Sequence, residues 1–162
     1  MMKFDLRYKF LIIALVSIDQ LSKWVVETHL LFRDKVDVFP FLALFRTHNK
    51  GIAFSMLSSM DRILLIGLIF LIILFLLNLW ENFRINNHFS HFGFAILISG
   101  AIGNLIDRLM RGHVVDFLLF YTENWAFPVF NAADSFITLG AIAVILDKIV
   151  FNPNEKRRSE KI

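Results

Sequence analysis

Four stretches of the chain are apolar over the length of a membrane crossing. Polar residues gather between them and at a few points inside them. A helix that crosses hydrocarbon needs about 20 apolar residues, with about 17–25 as the working range. Segments at about 8–29, 62–80, 92–109 and 135–151 meet that condition. The second, RILLIGLIFLIILFLLNLW, has no charge after Arg62, and its Asn78 and Trp80 suit an interface. The pattern predicts an all-α integral membrane protein: four transmembrane helices in a single domain over 1–162, with 152–162 as a basic tail.

The connections carry the next layer of pattern. The first, at about 30–61, is too long for a bare link. Alternation around Phe39 to Phe45 predicts short strands at the membrane surface, although Leu42, Ala43 and Leu44 blur the period. A lid in this connection, suggested by its length and its Gly51, is a further expectation. The second, at about 110–134, contains Asp116, Trp125 and Pro128, and its patches VVDFLLF and WAFPVF belong at the interface. The N-terminus is basic and then apolar, as in a signal peptide. Asp19 and Lys23 interrupt that run and no small-x-small cleavage site follows, so an uncleaved first helix is expected. No repeat of 20 to 50 residues is visible.

Composition supports the membrane class. Of 162 residues, 57% are hydrophobic and 19 are Phe, beyond the roughly 45–50% of an ordinary soluble domain. The net charge of +3 and pI near 9.4 raise nucleic-acid binding. However, Lys156, Arg157, Arg158 and Lys161 directly follow an apolar run and read as a cytoplasmic anchor, so no nucleic-acid partner is expected. With Lys3, Arg7 and Lys9 at the start and Arg84 in the middle connection, both termini are placed in the cytoplasm. There is no cysteine, which excludes disulfides, thiolate catalysis and cysteine-based zinc sites.

Ionisable groups inside a span cost about 2.5–3.5 kcal/mol each at mid-helix, so each needs a partner or a use. Asp19 and Lys23 are four apart, acid first, on one helix face. They either neutralise each other or line a polar cavity. In ISGAIGNLIDRLMRG, Asn104, Asp107 and Arg108 share a face, Asp107 is also four from Arg111, and Ser99-x-x-x-Gly103 permits close helix approach. Asp134 stands where the fourth span begins, suited to capping. Asp116 has no such structural excuse. If the third and fourth helices are neighbours, both carboxylates arrive at one depth and share a proton, as peptide hydrolysis by an aspartic pair requires. Spacing alone leaves that meeting open.

Motifs add what spacing does not. DQLSK at Asp19 to Lys23, NKGIAFS at Asn49 to Ser55, GNLIDRL and GHVVDF at Gly103 to Phe117, and FPVFNAADS at Phe127 to Ser135 occur in this order. Across nearly its whole length the chain resembles the bacterial lipoprotein signal peptidases, also called type II or prolipoprotein signal peptidases. That resemblance implies an aspartic endopeptidase of the inner membrane with its active site toward the periplasm. It would cut prolipoproteins before a diacylglyceryl-modified cysteine. Asp116 and Asp134 would be the catalytic pair and Asn131 would hold them. Asn49, Gly51, Asn104 and Arg108 would contact substrate or shape the site, with Asp19, Lys23 and Ala133 in support. The region around Phe39 to Phe54 would be a small periplasmic sheet that cradles substrate. No metal or organic cofactor is implied, and the partners are lipidated prolipoproteins and membrane lipids, with the chain as a monomer. Ile52 and Ser99 depart from the family's usual alanine and glycine.

The competing reading is a small proton-coupled transporter with Asp19, Lys23 and Asp107 as its relay. A third is a non-catalytic membrane scaffold, which leaves Asp116 and Asp134 unexplained as a pair. His88 and His91 have ligand-like spacing but lie in a polar turn, and no metal is expected there. Met56 and Met60 read as packing residues, and Asp147 as a cytoplasmic interface residue.

Overall fold

The computed structural model describes residues 5–51, 61–82 and 88–151. The basic tail, Ile52, Met56, Met60 and most of the expected lid lie outside the described residues. Helices α1 (Leu6–His29), α2 (Arg62–Asn82), α3 (His88–Met110) and α4 (Ala132–Leu146) form the bundle. Strands β1 (Lys35–Phe39), β2 (Leu42–Asn49) and β3 (Val114–Phe120) form an antiparallel sheet in that order. The fold is therefore mostly helical with one small sheet.

The spanning expectation is met by two of the four described helices on length and hydropathy, α2 and α3. α1 is long enough but is broken in hydropathy by Asp19, Lys23 and Glu27, and α4 has 15 residues before a π-helical stretch, Asp147–Phe151. Asp147 is buried, not at a surface. The sheet draws on both outer connections. VVDFLLF, expected only as an interfacial patch, is its third strand and pairs Asp116 with Thr47. Gly112 makes the turn from α3 into β3 at φ +79°, a backbone region that disfavours side chains. Phe130 then pairs with Leu118, so the chain leading into α4 lies along the edge of β3.

α3 is the central helix. Trp80 of α2 stacks on its Phe94 with ring centres 6.0 Å apart, over a core with Ala95 and Ile98. α3 and α4 touch through glycines, and Gly103 of the expected Ser99-x-x-x-Gly103 pair is one of them. Ser99 turns its hydroxyl to its own helix, donating to the Ala95 carbonyl at 2.6 Å, and Gly103 faces Asp19 and Ala133. Gly93, Gly100 and Gly140 make the close approach. A Cβ on Gly140 would stand 2.7 Å from the Gly93 carbonyl oxygen and 2.8 Å from the Leu97 Cα. Gly140→Ala is thus expected to push α4 off α3 at a cost of about 1–3 kcal/mol. A lowered unfolding temperature in detergent is the check.

Candidate active site

The last helix begins with a reciprocal cap. Asn131 is extended, its side-chain oxygen accepts from the Asp134 backbone N–H at 3.0 Å, and an Asp134 carboxylate oxygen accepts from the Asn131 N–H at 3.2 Å. Two N–H groups left unpaired by the helix start are satisfied this way. The amide nitrogen of Asn131 remains available, and it donates to Asp116 Oδ1 at 2.6 Å. One side chain therefore ties the strand carboxylate to the helix carboxylate.

The second oxygen of each acid is also held. Asn49 Nδ2 donates to Asp116 Oδ2 at 3.1 Å, across the β2–β3 pairing. Asn104 Nδ2 donates to Asp134 Oδ1 at 2.8 Å from α3. Asp116 is only 2% exposed. Burial, followed by the charge of Asp134, pushes its carboxyl up to about 7, against the opposing hydrogen bonds from Asn131 and Asn49. A carboxyl held that high is placed to carry a proton near neutral pH.

A charged support lies behind the pair. Lys23, fully buried, contacts Asp19 and Asp107 at 2.9 Å each. It also donates to Asn104 Oδ1 at 3.1 Å. Asp19 accepts from the Ala133 backbone N–H at 3.0 Å, which fixes the first turn of α4. Asp107 accepts from the Val115 N–H at 3.2 Å, beside Asp116 on β3, and pairs with Arg111 at 2.7 Å. The expected pairs Asp19–Lys23 and Asp107–Arg111 are both present, joined in one network. Gln20 was given no role by sequence reasoning. Its amide donates to Asp19, Asp107 and the Gly103 carbonyl at 3.0–3.1 Å. The available signal was an uncharged polar residue beside Asp19 within an apolar run.

Arg108 donates to the Asn104 carbonyl at 3.0 Å and to the Gly51 carbonyl, while Gly51 N–H donates to Asn49 Oδ1 at 3.0 Å. Its Nε is buried without a hydrogen-bond partner among the described residues, an open donor at the site. The ten residues singled out in the sequence are thus brought together, directly or through one neighbour. His88 and His91 are apart from them: His88 meets the Tyr8 hydroxyl at 2.9 Å, and His91 accepts from the Trp80 indole at 2.7 Å.

Asp116 and Asp134 both line a cavity of about 620 Å³. Asn49, Asn104 and Arg108 share its polar part, and Ile69, Ile72, Leu76 and Leu97 are among its apolar walls. The cavity thus joins a polar end at the two acids to apolar walls.

The model of the family described as signal peptidase (SPase) II matches residues 11–150. The chain belongs to the signal peptidase II family. Among the relatives of this signal peptidase, the lipoprotein signal peptidase of Sinorhizobium fredii is 48% identical over 153 residues, covering 94% of this chain and 90% of that one. The lipoprotein signal peptidase of Brucella ovis is 49% identical over 141 residues, covering 87% and 88%. Two solved structures described as a bacterial membrane enzyme superpose on the signal peptidase fold at 29% identity each. Their TM-scores are 0.84 and 0.80, with 93% and 91% of this chain covered and 92% and 95% of theirs.

Proposed function

We propose that this signal peptidase removes signal peptides from prolipoproteins with Asp116 and Asp134 as an aspartic dyad, cutting before a diacylglyceryl-modified cysteine. The observation that carries the reading is the Asn131 clamp, which binds Asp116 through its amide and Asp134 through the cap. The ionised carboxylate takes a proton from water as the water oxygen attacks the scissile carbonyl carbon. The protonated partner gives its proton to the carbonyl oxygen. Collapse of the resulting gem-diol breaks the C–N bond. The amine leaves with a proton from one carboxyl, and the other product is the free acid. Arg108 Nε and the Asn side chains hold the peptide backbone in place, and the apolar walls take the lipid and signal-helix surface.

In this reading α1 to α4 cross the inner membrane as one domain, with both termini cytoplasmic and the sheet on the periplasmic side. Large apolar side chains line the outside of the bundle, including Phe10, Ile13, Leu71, Phe75 and Ile142, as a lipid solvent demands. Both aspartates stand at the sheet end of the helices, where a lipidated cysteine at the bilayer surface would present its bond. Both also come from one chain, so a monomer holds a complete site. The Asp19–Lys23–Asp107 cluster ends on backbone N–H groups of Ala133 and Val115 at this same end, which favours a supporting role over a proton route.

The test is cleavage of a lipidated prolipoprotein peptide by the purified protein in detergent, beside the same peptide without lipid. Cutting of the lipidated peptide at the residue before cysteine is expected. No cutting, under conditions where a control signal peptidase cuts, overturns the reading. The pH profile gives a second check. Above its pKa Asp116 ionises and the dyad loses its acid, so turnover falls as the pH rises through about 7. Asn49→Ala removes a hydrogen bond that favours the ionised form, and should move this limb to higher pH.

A further inference from the structure

On the face of the β2–β3 pair opposite Asp116, three side chains gather that the hydrolytic reading does not use. His48 on β2 and His113 just before β3 stack with ring centres 3.7 Å apart. Strand alternation puts His48, His113 and Val115 on one face and Asn49 and Asp116 on the other. Glu27, near the end of α1, reaches the same place. One ligand-capable atom from each of the three lies within 4.8 Å of the others.

We propose that Glu27, His48 and His113 form a divalent-cation site, with zinc as the ion whose ligand chemistry they match. Two neutral imidazoles and one carboxylate, with water in the fourth position, are a recognised zinc donor set. Both His48 Nε2 and His113 Nε2 are buried without a hydrogen-bond partner among the described residues. Two unpartnered nitrogens side by side call for a shared ligand.

The carboxylate is already oriented. Arg111 Nε donates to Glu27 Oε2 at 2.8 Å, and Arg111 is itself paired with Asp107 at 2.7 Å. Oε1 has a looser contact, 3.8 Å to Arg46. It is the oxygen left for a cation, while Arg111 acts as the outer partner that metal-bound carboxylates require. Tetrahedral zinc with bonds of about 2.0–2.1 Å needs ligand atoms about 3.3 Å apart. The rings stack with planes 29° apart, so binding requires them to turn out of that stack until both nitrogens face the ion. The positive charges of Arg46 and Arg111 oppose the cation and place the affinity below that of a closed structural site. A bound ion would join α1, β2 and β3 directly behind the strand that carries Asp116.

The test is titration of the full-length protein in detergent with zinc, and with cobalt as a visible probe. One equivalent is expected to bind, with tetrahedral cobalt bands and a raised unfolding temperature. Changing an outer partner alone costs about 10–100-fold in metal affinity. Loss of a direct ligand in His48→Gln or His113→Gln should therefore cost at least about tenfold, with metal-free folding checked for each. Absence of saturable binding by the parent protein overturns the proposal whatever the variants do. Equal binding by the parent and both folded variants places the ion elsewhere and overturns it too.

Discussion

Asp116→Asn is expected to lower turnover on a lipidated prolipoprotein peptide by at least about 100-fold, and Asp134→Asn to do the same. General acid–base groups contribute about 10²–10⁴ each. The asparagines keep the size and much of the hydrogen bonding but cannot carry the shared proton. Asp116 offers both carboxylate oxygens to amide donors, Asn131 at 2.6 Å and Asn49 at 3.1 Å. An asparagine there keeps one of these contacts and sets an NH₂ against the other donor. Folding should survive that loss, and an unfolding curve checks it. Because the two acids act as a unit, the double variant should be barely worse than either single one. Turnover within a few-fold of the parent in either folded variant would rule out the dyad.

The second large effect is expected at Lys23. This ammonium is fully buried between Asp19 and Asp107. Lys23→Met fills similar volume but leaves two buried carboxylates without their shared cation. Breaking a buried pair by removing one partner costs about 3–5 kcal/mol. The loss should appear as a lower unfolding midpoint in denaturant and as lost turnover, because the Asp19 contact to the Ala133 N–H and the Asn104 orientation both depend on this charge. A triple change, Lys23→Met with Asp19→Asn and Asp107→Asn, should regain part of the stability, since no uncompensated charge remains. It should not regain turnover to the same degree. An unchanged midpoint in the single variant would show that the network is solvated and does not hold the site.

Much of this support was legible beforehand. Helical spacing alone puts Asp19 beside Lys23 and Asp107 beside Arg111, and both pairs form. The polar groups of the first and third helices could not be joined from spacing, because Lys23 reaches Asp107 across a helix interface. The third strand escaped for a physical reason. Val114 to Phe117 are all buried, so VVDFLLF shows no alternation, only a run of apolar residues around one acid. The meeting of Asp116 with Asp134 depends on that strand and on Asn131. Neighbouring third and fourth helices made it conceivable, and the motif resemblance singled it out.

The helix contact was read in part. Of Ser99-x-x-x-Gly103, the serine bonds its own helix, while the glycine admits Asp19 of α1 and Ala133 of α4. The other glycines that admit α4, Gly93 and Gly100, are seven apart, two turns on one face. That spacing was available in the sequence and pointed to the right surface.

The cap that begins α4 has a consequence for how the protein is made. The residue that binds both acids and one of the acids themselves are the same residues that start the final helix. Asp19, from the first helix, completes that turn through Ala133. A ribosome delivers these partners more than a hundred residues apart. Until the last helix enters and winds its first turn, the growing chain has one aspartate on a strand and nothing opposite it. With Asp116 and Asp134 as the proposed dyad, activity would begin only when the first helix closes onto the last.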